Sequence, residues 1–220
     1  MFQVVDTFLT ADEVQTLRTL SETMTFVDGK STNSDFSAKQ NLQASAKTQD
    51  GQRVANMIRS ALARNEWAME ICRPKAMAAP LLAKYEPGMA YGEHVDTALI
   101  TGGGPVRVDI SCTVFLSDPE SYDGGELVVR PGNREFKIKE PAGAAVFYPS
   151  THYHEVAPVT RGERLVGLTF IESAIRDAQK RHILFELEEL RHKVGANLDN
   201  EALMQLEFVR LNLLRMWHGD

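Results

Sequence analysis

The chain has only two cysteines, Cys72 and Cys112, among its 220 residues. They share no short spacing, so neither a zinc knuckle nor a disulfide framework is expected. Both read as small buried hydrophobes in a protein of a reducing cytoplasm. Acidic residues outnumber basic ones, 30 to 24. A net charge of -6 argues against a nucleic-acid partner, which requires a basic surface. No run of about 18 apolar residues occurs, so no membrane span is expected. The opening MFQVVDTFLTADEV lacks a basic stretch leading into a long apolar one, so no signal peptide is expected either. Repeats, low-complexity tracts and flexible linkers are missing as well. What is present, 43% hydrophobic residues, suffices for one sizeable core but hardly for two full domains.

The two ends read as helical. Thr10 followed by Glu13 is a capping-box pattern, and Val14, Leu17 and Leu20 recur at helical spacing, which predicts a helix over 11–24. A second is predicted over 51–64, with Val54, Ile58 and Leu62 on one face. Residues 28–50 between them are polar and read as a loop, a candidate lid. After Ser173, Ile183, Leu187 and Leu190 share one helical face. Leu203, Leu206, Val209, Leu213 and Met216 share another, and Gly195-Ala196-Asn197 breaks the run. This predicts a helical hairpin that packs on the rest or drives homo-oligomer formation.

The middle is different. From about 76 to 173, short apolar runs alternate with Pro, Gly, Asn and Asp, as a sandwich or double-sheet barrel requires. The fold class is therefore mainly β with helical flanks (α+β). Residues 1–175 form the β-centred domain with its N-terminal helices, and 176–220 a C-terminal helical extension.

In YGEHVDTALI, residues 91–100, His94 and Asp96 stand two apart. On a strand such residues point to one side, about 6.5–7 Å apart along the chain, so both can reach one ion. In isolation the pair reads more simply as hydrogen-bonded. A third ligand is needed, and His152 and His154 both lie in a second strand-like stretch. Two imidazoles and one carboxylate form the facial set that suits non-haem Fe(II) oxygenases. Zinc more often recruits three His, His₂Glu or thiolates. Arg164 opens the strand RLVGLTFIES, where a guanidinium can grip the far carboxylate of a keto acid. Arg161 falls in the preceding turn and is expected in solvent. Arg107 and Asp109 read as an inter-strand ion pair, Tyr85 and Tyr91 as barrel wall or site residues, and Gly124-Gly125 as a turn needing positive φ. The alternatives are a non-enzymatic cupin-like binder and a zinc hydrolase on the same ligands.

The pieces YEPGMAYGEHVD, VRVDISCTVFLSD, YDGGELVV, VFYPSTHYHEVAPVTRGER and FIESAIRDAQKRHILFEL, with Lys39-Gln40-Asn41 earlier, resemble the PKHD-type hydroxylases. These are bacterial relatives of the prolyl hydroxylases, in the Fe(II)/2-oxoglutarate dioxygenase superfamily. The resemblance spans nearly the whole chain. It implies a double-stranded β-helix (jelly-roll) core, with Fe(II) on His94, Asp96 and His154. It also implies 2-oxoglutarate against Arg164, with help from Tyr85, and ascorbate as supporting reductant. A link to iron or siderophore handling is a further implication. His152, unusual in this family, is left to the substrate pocket or the surface. The substrate, small molecule or peptide, is not specified.

Overall fold

A computed structural model describes residues 2–32, 38–101 and 104–219. Two antiparallel sheets face each other. In the larger, neighbouring strands run in the order Gln3–Val5, Ala145–Pro149, Ile110–Phe115, Arg164–Ser173, Leu81–Tyr85, Leu42–Ala44 and Phe26–Asp28, and Pro74–Met77 also pairs with Arg164–Ser173. In the smaller the order is Phe136–Ile138, Leu127–Arg130, Tyr153–Val156, Ala90–His94 and Lys39–Gln40. The interior between them holds Tyr85, Phe115, Leu127, Val129, Val146, Tyr148 and Val166.

The strand Ile110–Phe115 explains this layering. Both its faces are buried. Ile110, Cys112 and Val114 belong to the cluster that also contains helix residues, whereas Phe115 belongs to the barrel interior. Alternation here sorts helix-facing from barrel-facing residues, not buried from wet.

Three helices back the larger sheet. The first, α1 (Ala11–Thr23), starts at the expected capping box, with Thr10 and Glu13 bonding reciprocally. The second, α2 (Gln49–Arg64), buries Val54, Ile58 and Leu62 as its spacing predicts. A short α3 (Glu66–Cys72), not evident in the sequence, follows Asn65, which caps it through Ala68 N. Ile58 lies over Gly167, where a Cβ would come within 2.8 Å of Ile58 Cδ1. The missing side chain lets helix and sheet approach.

The expectation of a loop over 28–50 is corrected in part. The short strands Phe26–Asp28, Lys39–Gln40 and Leu42–Ala44 border and cross it, joining it to both sheets. Their short length hid them. Residues 33–37, at the tip of the candidate lid, lie outside the described residues.

The C-terminal hairpin forms from α4 (Ala178–Val194) and α5 (Asn200–Trp217). Its expected faces need correction. Ile183 and Leu190 are exposed, and α4 instead buries Arg181, Leu184, Phe185 and Glu188. Two charged residues interrupt the buried stripe, and each has polar or charged partners. Arg181 Nη1 donates to the carbonyls of Ile175 and Arg176. Glu188 meets Arg191, Arg210 and His192. On α5, Val209 and Met216 are likewise exposed. The Gly219 amide donates to the carbonyl of Ala174, so the hairpin ends beside the point where it began. Among the described residues no helix is long and apolar enough to cross a membrane.

Candidate metal and cosubstrate site

Two register pairs build the site. His94 faces His154 directly across the smaller sheet, and Tyr85 faces Arg164 across the larger. Asp96 lies just past the end of its strand, not on it as the spacing suggested, yet it still converges. Ligand atoms of His94, Asp96 and His154 all lie within 4.8 Å of one another. Asp96 Oδ1 is 3.9 Å from His94 Nε2, and Oδ2 is 3.5 Å from His154 Nε2.

Both imidazoles are oriented by the same device. His94 Nδ1 lies 2.8 Å from the carbonyl of Gly92, and His154 Nδ1 lies 3.0 Å from that of His152. A carbonyl only accepts, so each Nδ1 carries the proton and each Nε2 offers its lone pair to the centre. Burial, with His154 beside it, pushes His94 down to about 4, which keeps it neutral at pH 7. Burial also opposes protonation of His154, but the hydrogen bond and charge of Asp96 outweigh it and the group rises. Tyr91 stacks on His94 with ring centroids 3.7 Å apart. It is thus a wall of the site. His152 stands outside the triad, in the turn before Tyr153–Val156, and contributes its carbonyl.

Arg164 is only 1% exposed, and its Nε and Nη1 find no hydrogen-bond acceptor. A buried guanidinium left so is costly, and an incoming carboxylate would satisfy it. Its Cζ sits 5.0 Å from the Tyr85 ring centroid. Asn41 Nδ2 donates to the Tyr85 hydroxyl at 3.0 Å, which leaves that hydroxyl's own proton available to a ligand. The Tyr122 hydroxyl is also buried and approaches the guanidinium without hydrogen-bond geometry. Gly125 makes room for the arginine, since a Cβ there would stand 3.0 Å from Arg164 Cδ. Tyr148 links the two halves: its ring meets that of His154 edge-on at 5.2 Å, and its hydroxyl feels Asp96, Tyr85 and Arg164.

The residues fit the groups that the sequence implies. Two imidazoles and a carboxylate on one side of an ion suit Fe(II) and leave its other positions open. The unsatisfied guanidinium suits the distal carboxylate of 2-oxoglutarate.

The remaining candidates sort cleanly. Arg161 is exposed, as expected, but it ends the short strand Val159–Arg161 instead of lying in the turn, and it pairs with Asp123. Arg107 and Asp109 do pair, at 2.8 Å, but they are two apart on one stretch. They fasten it to the strand Arg164–Ser173 through the amide and carbonyl of Ser173 and through Glu172. Gly124 and Gly125 have φ of 71° and 68°. Asn41 and Tyr122 had been given no role in advance. Nor had Lys39, which is buried and lies over the Tyr91 ring. Lys39, on the short strand Lys39–Gln40, and Asn41, just past its end, are both buried, and so brief an element gives no sign in the sequence of what either side chain does.

The chain matches known proteins along its whole length. Residues 80–172 match the family described as the 2OG-Fe(II) oxygenase superfamily. A PKHD-type hydroxylase of Sphingopyxis alaskensis is 44% identical over 218 residues, covering 99% of both chains. One from a Picosynechococcus species is 39% identical over 220 residues, again covering 99% of both. Among solved structures, a Pseudomonas putida prolyl-4-hydroxylase superposes with a TM-score of 0.54 at 22% identity, over 78% of this chain and 92% of that one. A Trichoplax adhaerens prolyl hydroxylase gives 0.58 at 16% identity, over 83% and 86%. These two show the same double-stranded β-helix fold. The cupin-like binder and the zinc hydrolase find no support in these matches. By sequence, fold and donor set together, this chain belongs to the PKHD-type hydroxylases, 2OG-Fe(II) oxygenases that use Fe(II) and 2-oxoglutarate.

Proposed function

We propose that His94, Asp96 and His154 hold the Fe(II), that Arg164 with Tyr85 holds 2-oxoglutarate, and that the product is a hydroxylated small molecule or peptide. When bound, the pair supplies the oxidising chemistry: 2-oxoglutarate gives succinate and carbon dioxide while oxygen is placed on a substrate carbon. The chain's own part is geometry. Two backbone carbonyls aim the imidazoles, the buried guanidinium draws in the diacid, and the Tyr85 hydroxyl donates a hydrogen bond to the same carboxylate. Tyr148 and Phe115 exclude water from the barrel between the half-sites.

The observation that carries this reading is the Arg164 guanidinium, buried with two unsatisfied nitrogens in the barrel that also holds the triad. The test is an anaerobic titration with Fe(II) and 2-oxoglutarate, expected to give a weak visible charge-transfer band that needs both. His94→Ala and Asp96→Ala should abolish the band and all succinate formation. Asp96→Glu should fail as well, because the longer arm misplaces its oxygen. Oxygen-dependent succinate production by these variants at the parent rate would overturn the assignment. Mass gain of one oxygen on peptidyl prolines, amino acids and siderophore-like molecules identifies the substrate. Ascorbate is proposed as supporting reductant on the resemblance alone; turnover that fades equally with and without it would reject that role.

For assembly we propose a second copy of the chain on the outer face of α5. Phe208 is 70% exposed and Met204 69%. An antiparallel two-fold axis at Phe208 sets Glu201 opposite Arg215 of the partner, twice. Phe208→Glu should convert a dimer to a monomer in sedimentation, and a monomeric parent rejects the reading.

A further inference from the structure

Asp96 is held from behind. Its Oδ2 accepts a hydrogen bond from Ser111 Oγ at 2.5 Å, and Ser111 Oγ in turn lies 2.7 Å from Ser150 Oγ. Ser111 and Ser150 are 2% and 3% exposed. Proton counting fixes the direction of the chain. An ionised carboxylate only accepts, so the single Ser111 proton is committed to Asp96. Ser111 must therefore accept from Ser150, and the hydrogen bonds run Ser150 to Ser111 to Asp96.

From this we infer that Ser111 and Ser150 are positioning residues that keep Asp96 a one-oxygen ligand. Three protein ligands leave room for a two-atom chelate and oxygen only if the carboxylate takes one position. A carboxylate free to turn could close on the ion with both oxygens. The Ser111 hydroxyl occupies Oδ2 and leaves Oδ1 as the better donor. Donation from Ser150 polarises the Ser111 hydroxyl and strengthens its bond to Asp96. Buried hydroxyls are costly unless bonded, and here each bonds only along this line among the described contacts. The inference rests on the reading of Asp96 as a ligand.

The test is the Fe(II) dissociation constant of the full chain, measured anaerobically by chelator competition and needing no turnover. Ser111→Ala should weaken binding by about tenfold or more, within the range for lost support of a metal ligand. Ser150→Ala should weaken it less. The double variant should match Ser111→Ala within about twofold, because Ser150 acts only through Ser111. Ser111→Thr keeps the hydroxyl and should restore parent affinity, which general damage to the strand would not allow. Additive losses in the double variant, or unchanged affinity in Ser111→Ala, overturn the relay while leaving the ligand set intact. Should Ser111→Ala fail to fold, Ser150→Ala decides: parent affinity there overturns the relay. Equal affinity in the parent and His94→Ala removes the ligand reading, and the relay falls with it.

Discussion

Arg164 stands directly opposite Tyr85 on paired antiparallel strands, its guanidinium over the phenol ring at 5.0 Å. Arginine and tyrosine thus reach one ligand from adjacent strands. Arg164→Met should weaken 2-oxoglutarate by about 2–5 kcal/mol, the usual loss when one member of a buried charge pair is truncated. Arg164→Lys should recover part of it, since the charge survives but the two-pronged donor does not. Anaerobic titration with 2-oxoglutarate reads both.

Asn41 sets the Tyr85 hydroxyl, and its effect should be smaller. Asn41→Ala removes one neutral donor, worth about 1 kcal/mol, and should raise the KM for 2-oxoglutarate several-fold with kcat nearly unchanged. A large fall in kcat with unchanged KM would contradict this role.

Glu188 makes the C-terminal hairpin pH-sensitive. Burial opposes its ionisation, but the Arg191 hydrogen bond and the nearby charges of Arg210, Arg191 and His192 outweigh it and lower the group from its ordinary 4.5. A lowered native value means stabilisation that is complete above the unfolded value and lost as pH falls through the native one. The hairpin should therefore loosen below pH 4.5. Fluorescence of Trp67, which packs against Phe185 and His192, follows it. Glu188→Gln should flatten the acid response and lower stability at pH 7.

Ile58 tests the backing of the sheet. It is fully buried against Gly167, so Ile58→Ala should cost about 2–5 kcal/mol of unfolding free energy, read by denaturant titration. Metal affinity of the folded fraction should hold, because the triad lies mainly on the other sheet.

The sequence made the barrel legible through its turn residues and period-two runs, and the triad legible because His-x-Asp stands out in apolar surroundings. Asp96 was misplaced onto a strand because residue spacing does not mark where pairing stops. The roles of Asn41, Ser111 and Ser150 stayed hidden because small polar residues gain their roles only through neighbours far along the chain, such as Tyr85 and Asp96. Arg181 and Glu188 misled the helical reading, since a buried charge looks like a wet face until its partners are seen. The expected face of Ile183 and Leu190 was the outcome.

The bond from Gly219 back to Ala174 returns the far end of the hairpin to the point where its chain leaves the body, while Phe185 and Trp67 hold its first helix against the core. Such an element behaves as a cassette. Its loop at Gly195–Asn197 can lengthen, shorten or change sequence with no lever arm reaching the ferrous centre, so variation between relatives should concentrate there before it touches the jelly-roll.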